Sequence, residues 1–377
     1  MKKQPIGIIG TLGSVADGKS TAVEQLTGFK TQKHSSEKER NITIKTGYRN
    51  LRIVKSEGSL KTVKLKKKKM EKFNEDDLVN HLSILDSPGH HSLIITMLSN
   101  IELVSGVIVV IAANDPINKK PQLIEHLYAA KLSNLPIIIC HNKLDLIDKN
   151  KAIERYQELV DYLNELEIHP KSIIPTSLSL GYGIDNLISE VLEHFQFEDK
   201  SLKKVIFKTN RSFDINKSML FNNDFDLYKG GVLGGCLING KIKVGDKIII
   251  SPGYIDENKK HHRLKSKILS LRTDENVLEE AYPGALIGIG TEIDPILCKD
   301  NGMQGQTITL EADELPEVYK QLKLEIDFTN KFGSDIWDPK QGEIVLLQIG
   351  TKSLKSKISD IDGENINFKL SLPWCCS

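Results

Sequence analysis

The chain has 377 residues, of which 39% are hydrophobic and 27% are charged, and its formal net charge is +1 at pH 7. This length suits two or three domains, and the composition excludes a disordered or fibrous chain. The small net charge excludes a generally basic nucleic-acid coat, so any contact with RNA would depend on local basic patches.

The cysteines and the longest apolar run indicate the compartment. The five cysteines are odd in number and show no Cys-x-x-Cys spacing, which favours reduced thiols over a disulfide framework or a zinc ribbon. The longest apolar run, residues 107–113, is about a third of a membrane span. We therefore expect a cytoplasmic protein with no membrane partner and no zinc.

Residues 1–200 alternate short apolar runs with longer amphipathic stretches. The runs are apolar throughout, which is typical of strands buried on both faces of a parallel sheet; they read PIGIIG, HLSILD, GVIVVIAA, LPIIICHNK and SIIPTS. Two stretches between them, PQLIEHLYAAKLS and AIERYQELVDYLNELE, carry apolar residues at helical spacing. This alternation predicts an α/β domain with a mostly parallel sheet.

The pattern changes near residue 198. Residues 203–313 contain short strands separated by glycine turns, as in KGGVLGGCLINGKIKVGDKIIISPG, which predicts a β-barrel. Residues 316–377 are again strand-like and end at LPWCCS. This stretch predicts a further region of β-structure.

A phosphate-binding motif follows the first predicted strand, because residues 13–20 match G-x-x-x-x-G-K-[ST]. In such a motif, backbone N–H groups at a helix start face phosphate oxygens, a lysine neutralises the β- and γ-phosphates, and a hydroxyl binds Mg²⁺. A glycine turn before an ordinary helix is the alternative for this motif alone. The predicted phosphate-binding residues are Gly13, Ala16, Asp17, Gly18, Lys19, Ser20 and Thr21.

Two later segments predict the rest of a magnesium and γ-phosphate site. LDSPGH, residues 85–90, ends an apolar run with Asp86, which we expect in the Mg²⁺ sphere, while the N–H of Gly89 would sense the γ-phosphate. KERNITIKTGYRN, residues 38–50, is interpreted as a switch segment whose Thr43 ligates Mg²⁺ in the triphosphate state. The predicted metal ligands are Ser20, Thr43 and Asp86.

Two further strand-end motifs predict that the base is guanine. In NKLD, residues 142–145, the Asp145 carboxylate can accept two hydrogen bonds from guanine that adenine cannot donate. TSL, residues 176–178, could close over the base with a Ser177 contact. The predicted base-side residues are Asn142, Lys143, Asp145, Ser177 and Leu178. The phosphate-binding motif, LDSPGH, NKLD and TSL follow one another in this order along the chain, and together they predict a domain that binds GTP or GDP.

Several longer stretches resemble one family of translational GTPases. RNITI followed by DSPGH looks like the elongation factor Tu superfamily. Within it, ITIKTGYRN, RSFDINK, KGGVLGGCLINGKIKVGD and GALIGIGTEIDPILCKDNGMQGQ resemble the gamma subunits of eukaryotic and archaeal translation initiation factor 2. The resemblance covers nearly the whole chain. It implies a GTP-binding domain followed by two β-barrels, and GTP-dependent delivery of initiator methionyl-tRNA to the small ribosomal subunit, together with alpha and beta subunits.

The same resemblance assigns further roles. His90, beside Gly89, would position the attacking water, and Val15 with Ile42 would form an apolar gate around it. Tyr48 would pack on the tRNA acceptor end. Ordinary structural roles, a surface histidine beside a Pro-Gly turn and a tyrosine packed at a strand start, remain the alternatives. No arginine finger can be assigned, so we expect slow hydrolysis of GTP that needs an activating partner.

The chain departs from the family pattern at three places. The phosphate loop carries Ser14 where the family usually has His, and Asp17 where the family usually has a residue other than an acid. The Asp17 carboxylate would repel a triphosphate if it pointed inward, but not if it faced solvent. The lysine-rich segment 55–72 has no cysteine where the family often carries Cys-x-x-C knuckles; it is either a solvated loop or an RNA-binding patch. The third is at LPWCCS, because the second barrel of the family continues past this position; the resemblance therefore implies that residues 316–377 form an incomplete barrel with an unpaired strand edge.

Two other functions therefore stay open. One is a paralogue that binds nucleotide and partner subunits as a scaffold without hydrolysing GTP. The other is a relative of the selenocysteine-specific elongation factor, which shares the GTP-binding domain.

Overall fold

The computed structural model describes residues 4–29, 47–56, 58–66, 69–70, 73–86, 104–117, 121–216, 229–258, 260–273, 276–326 and 338–375. The chain forms two compact units, residues 1–198 and 199–377. The domain boundaries that we expect from the sequence, at 1–200, 203–313 and 316–377, remain predictions.

The first unit is built on a seven-stranded sheet with the strand order β3-β2-β6-β1-β7-β8-β9. The strands of this unit are β1 (Ile8–Leu12), β2 (Gly47–Ser56), β3 (Ser59–Thr62), β4 (Leu65–Lys66), β5 (Lys69–Met70), β6 (Leu78–Asp86), β7 (Gly106–Ala112), β8 (Ile137–Asn142) and β9 (Ser172–Pro175). Strands β6, β1, β7, β8 and β9 run parallel, and β2 and β3 pair antiparallel at one edge. The predicted mostly parallel sheet is confirmed.

The central strands of this sheet are buried, which explains their continuous apolar sequences. Every residue of β7 and of β8 is buried, as expected for strands covered on both faces. The described helices of the unit are α1 (Lys19–Thr27), α2 (Pro121–Leu132), α3 (Lys149–Glu165) and α4 (Ile184–His194). On α4 the buried residues recur at helical spacing, at Ile184, Leu187, Ile188 and Val191, and they join the core against the sheet.

The described part of the lysine-rich segment 55–72 consists mostly of paired strands. Lys55 lies near the end of β2, and Lys61 lies in β3. These two strands pair as an antiparallel hairpin. Beyond them, β4 and β5 form a small two-stranded ladder. A hairpin thus extends the edge of the sheet in the described part of this segment, and both interpretations of the lysines, a solvated segment and an RNA-binding patch, remain predictions.

The second unit begins with a closed barrel. Its strands are β10 (Ile206–Phe213), β11 (Val232–Asn239), β12 (Ile242–Lys243), β13 (Lys247–Ile255), β14 (His261–Thr273), β15 (Asn276–Leu278), β16 (Glu280–Ala281), β17 (Leu286–Thr291) and β18 (Thr307–Leu310). The sheet has the strand order β13-β18-β10-β11-β17-β14, and it closes into a barrel because β13 also pairs with β14. A separate core of buried aliphatic residues and Phe207 fills the barrel, which confirms the predicted architecture.

A four-stranded antiparallel sheet follows in the order β19-β22-β21-β20. Its strands are β19 (Val318–Glu325), β20 (Ile344–Ile349), β21 (Lys352–Asp362) and β22 (Asn365–Cys375). Among the described residues, β19 and β20 each pair on one side only. Thr351 joins this sheet to the barrel, because its hydroxyl donates to the Thr209 carbonyl at 2.9 Å.

None of the helices that the structure describes is long and apolar enough to cross a membrane.

Candidate functional site

The phosphate loop lies between β1 and α1 and is pressed against the sheet. Gly13 has a φ of 136°, and a Cβ there would lie 2.3 Å from the Val110 carbonyl oxygen. Gly18 has a φ of 109°, and a Cβ there would lie 2.4 Å from Asn142 Nδ2. Both positions therefore require glycine for conformation and for space.

The first turn of α1 brings two of the predicted metal ligands together. Ser20 Oγ donates to Asp86 Oδ2 at 3.0 Å, and Asp86, at the end of β6, is fully buried. Thr11 Oγ1 orients the other oxygen of this carboxylate, Oδ1, at 3.2 Å. A hydroxyl and a carboxylate are the hard oxygen donors that suit Mg²⁺, so these residues fit the predicted ion.

No cluster of three or more His, Cys, Asp or Glu side chains that could hold a metal is found among the described residues. Ser20 and Asp86 would therefore need further oxygen ligands from phosphate and water, as Mg²⁺ at a nucleotide commonly has. Lys19 is 7% exposed, and its Nζ donates to the Ser14 carbonyl at 2.6 Å. Its ammonium group thus lies inside the loop. Thr21 follows in the same turn of α1.

The base-side residues come from two neighbouring strand ends. Asn142 ends β8, and Asp145 lies in the short 3₁₀ turn Leu144–Leu146 that follows it. Ser177, after β9, donates its hydroxyl to Asp145 Oδ1 at 2.5 Å, which orients the carboxylate that we expect to read guanine. The Leu178 N–H donates to Asn142 Oδ1 at 3.0 Å. The backbone N–H of Leu178 is therefore bonded within the protein. Lys143 sits at the turn in the left-handed region, with a φ of 65°.

Asn142 also joins the base-side loops to the phosphate loop, because its Nδ2 donates to the Asp17 carbonyl at 2.8 Å. The Asp17 side chain is 2% exposed. Its carboxylate accepts the N–H of Ser14 at 2.9 Å and the N–H of Ala112 at 3.2 Å. The solvent-facing orientation considered from the sequence is therefore wrong, and the carboxylate is built into the loop.

His126 is a residue of this site that the motifs missed. It lies on α2 and is 2% exposed, and its Nδ1 accepts the N–H of Gly13 at 3.2 Å. Burial, helped by the positive charge of Lys19, lowers the pKa of His126 from 6.5 to about 4, so the ring is neutral near pH 7 and can accept. The one signal in the sequence was its position next to the buried Leu127 and three residues after Leu123, on the apolar face of the helix.

Several predicted residues cannot be placed. Ile42, Thr43, Gly89 and His90 lie outside the described residues, and so does the side chain of Tyr48, whose backbone pairs with Leu85 at the start of β2. Val15 and Ala16 lie on the loop, Val15 with 38% of its surface exposed and Ala16 with a φ of 66°. The proposed gate and the catalytic residues thus remain predictions.

Two solved structures with a similar fold are of translational elongation factors. The chain matches a bacterial selenocysteine-specific elongation factor EF-Sec with a TM-score of 0.73 and 24% identity, covering 99% of this chain. The chain spans only 54% of that factor's length. It also matches elongation factor SelB from Methanococcus maripaludis, solved with the GTP analogue GppNHp, with a TM-score of 0.72 and 18% identity over 100% of this chain and 74% of that one. At these identities the likeness concerns the fold alone.

Family models and curated relatives are more specific. Residues 4–197 match the elongation factor Tu GTP binding domain, and residues 230–309 match elongation factor Tu domain 2. The translation initiation factor 2 subunit gamma of Pyrococcus furiosus is 36% identical, over 97% of this chain and 90% of that protein. The eukaryotic subunit gamma of Encephalitozoon cuniculi is 35% identical over 100% and 88%, and subunit 3 of the Drosophila melanogaster factor is 33% identical over 97% and 82%. The chain therefore belongs to the gamma-subunit family of eukaryotic and archaeal translation initiation factor 2, and it is a GTP-binding translational GTPase.

Proposed function

We propose that this chain binds GTP with Mg²⁺ and, in that state, carries initiator methionyl-tRNA to the small ribosomal subunit in the cytoplasm, together with alpha and beta subunits. The observation that carries the nucleotide part is the connection through Asn142, which bonds to Asp17 of the phosphate loop and to Leu178 of the base-side loop. One side chain thereby holds both halves of a nucleotide site in a fixed relation.

In this proposal the chain's own residues bind and orient the triphosphate. Lys19 exchanges its bond to the Ser14 carbonyl for phosphate oxygens, and the new bonds are stronger because both partners are charged. Asp145, oriented by Ser177, accepts the guanine N–H groups. Ser20 and Asp86 would hold Mg²⁺, which when bound neutralises charge on the phosphates.

Of the residues expected to act in hydrolysis, all but Val15 lie outside the described part of the chain. We propose that His90 orients the water, beside Gly89 and behind the gate of Val15 and Ile42, with Thr43 completing the Mg²⁺ sphere. Without an assigned arginine finger, turnover should be slow until a partner activates it. A single-turnover assay of the chain alone would contradict this if GTP were hydrolysed within a second.

The nucleotide part is tested by calorimetry on the purified chain. We expect GTP and GDP to bind and ATP to bind about 5- to 150-fold more weakly, because adenine cannot donate the two hydrogen bonds that guanine gives to the Asp145 carboxylate, a loss of about 1–3 kcal/mol. Glu158, which faces Arg155 on α3, offers a control carboxylate, so Glu158→Gln should not change the selectivity that Asp145→Asn abolishes. Equal affinity for guanine and adenine nucleotides would refute the assignment.

The carrier part is tested by filter retention of methionylated initiator tRNA in GTP and in GDP, with an elongator tRNA as the control. We expect GTP-dependent retention of the initiator only, and weaker retention by Tyr48→Ala than by Tyr48→Phe, since only the second keeps an aromatic stacking face. Equal retention in both nucleotide states would favour a scaffold over a carrier.

A further inference from the structure

Asp17 places a carboxylate in the middle of the phosphate loop. It lies between Ala16 and Gly18 and is 2% exposed. The loop has to enclose phosphate groups that carry several negative charges, so an acidic side chain here calls for a physical explanation.

The carboxylate is fixed within the loop by hydrogen bonds to both of its oxygens. The Ser14 N–H donates to Oδ2 at 2.9 Å, and the Ala112 N–H, from the last residue of β7, donates to Oδ1 at 3.2 Å. Two N–H donors suit an ionised carboxylate. Turning the side chain out to solvent would leave both buried N–H groups without this acceptor, which is unfavourable.

Asp17 is held from its backbone as well. Its carbonyl accepts Asn142 Nδ2 at 2.8 Å, and its N–H points to the Ser14 carbonyl at 3.4 Å. That same carbonyl accepts Lys19 Nζ at 2.6 Å. The negative charge is therefore in a fixed position within the group of residues that is expected to surround the phosphates.

We propose that Asp17 is a specificity-determining residue that reduces the preference of this site for GTP over GDP. The charge is buried, so salt and water screen its field less than that of a surface carboxylate. It repels every phosphate, and GTP carries more negative charge than GDP, so the repulsion weakens GTP binding more than GDP binding. This inference rests on the proposed guanine-nucleotide site.

The test compares the affinities of GTP and GDP, measured by calorimetry, for the full chain and for Asp17→Asn. The asparagine Oδ1 can still accept the Ser14 N–H, and the lost bond to Ala112 weakens both nucleotides alike. We expect the ratio of GTP affinity to GDP affinity to rise about tenfold when the charge is removed. Asp161→Asn is the matched control, because Asp161 is exposed on α3 and bonds to Gln157; its ratio should stay at the wild-type value.

Asp17→Ser is a second variant, smaller and uncharged, which should shift the ratio in the same direction. An unchanged ratio in both variants would overturn the proposal and leave Asp17 a purely structural residue. Loss of all nucleotide binding in both folded variants would also overturn it, because the carboxylate would then be required for the loop itself. If the wild-type chain bound no guanine nucleotide, the proposed function would fall instead.

Discussion

Replacing His126 should weaken the support of the phosphate loop in a way that depends on the acceptor atom. The Gly13 N–H donates to His126 Nδ1 at 3.2 Å in a buried setting. His126→Leu supplies no acceptor, and a buried N–H left unpaired costs about 1–3 kcal/mol. His126→Asn carries an oxygen that can take the place of Nδ1, so we expect it to lose clearly less stability and less affinity for GDP than the leucine variant.

The lowered pKa of His126 adds a pH dependence with a definite sign. Between 6.5 and about 4 the unfolded chain binds a proton at His126 that the folded protein excludes, so stability is lost as the pH falls. With these two pKa values, lowering the pH from about 7 to about 5 should reduce the free energy of unfolding by about 2 kcal/mol through His126 alone. Asparagine does not titrate, so the wild type should lose this much relative to His126→Asn.

The assay is urea unfolding at both pH values, followed by helical circular dichroism. All helices of the α type that the structure describes lie in the first unit, so this signal reports the unit that contains His126. Subtracting the free energy of unfolding of His126→Asn from that of the wild type at each pH cancels the contributions of the other titrating groups. A difference that is the same at both pH values would refute the pH reasoning, and equal GDP affinity of the leucine and asparagine variants would refute the role as acceptor.

Three further outcomes follow from buried contacts. Asn142→Ala removes both of its bonds between loops and should lower GDP affinity about 5- to 150-fold by calorimetry, which corresponds to about 1–3 kcal/mol; an unchanged affinity would contradict the connection. Gly231→Ala would place a Cβ 2.4 Å from Cys298 Sγ and should lower the free energy of unfolding of the second unit by about 1–3 kcal/mol. Tryptophan fluorescence reports this unit, because both tryptophans belong to it. Adding Cys298→Ala should restore part of the lost stability, and no restoration would argue against the clash. Burial raises the pKa of Cys140 and of Cys236 to about 12, so neither thiol should react with iodoacetamide in the folded protein, and labelling detected there by mass spectrometry would contradict their burial.

The sequence by itself determined the elements and their chemistry. Continuous apolar runs predicted β7 and β8 as strands buried on both faces, and every residue of both is buried. Local sequence patterns also predicted the glycine turn before α1 and the polar residues at the ends of β6 and β8. Strand burial and turn conformation depend on neighbouring residues, so they leave a local pattern in the sequence.

Only the tertiary structure decided how these parts are joined. No local pattern indicated that Asp17 would accept a bond from Ala112, or that His126 would reach Gly13, because these partners are 95 and 113 residues apart in the chain. The pairing of β2 with β3 within the lysine-rich segment is likewise set by an edge of the sheet that offers backbone groups for pairing. Contacts between distant segments depend on which surfaces the fold brings together, and a single sequence records no such distances.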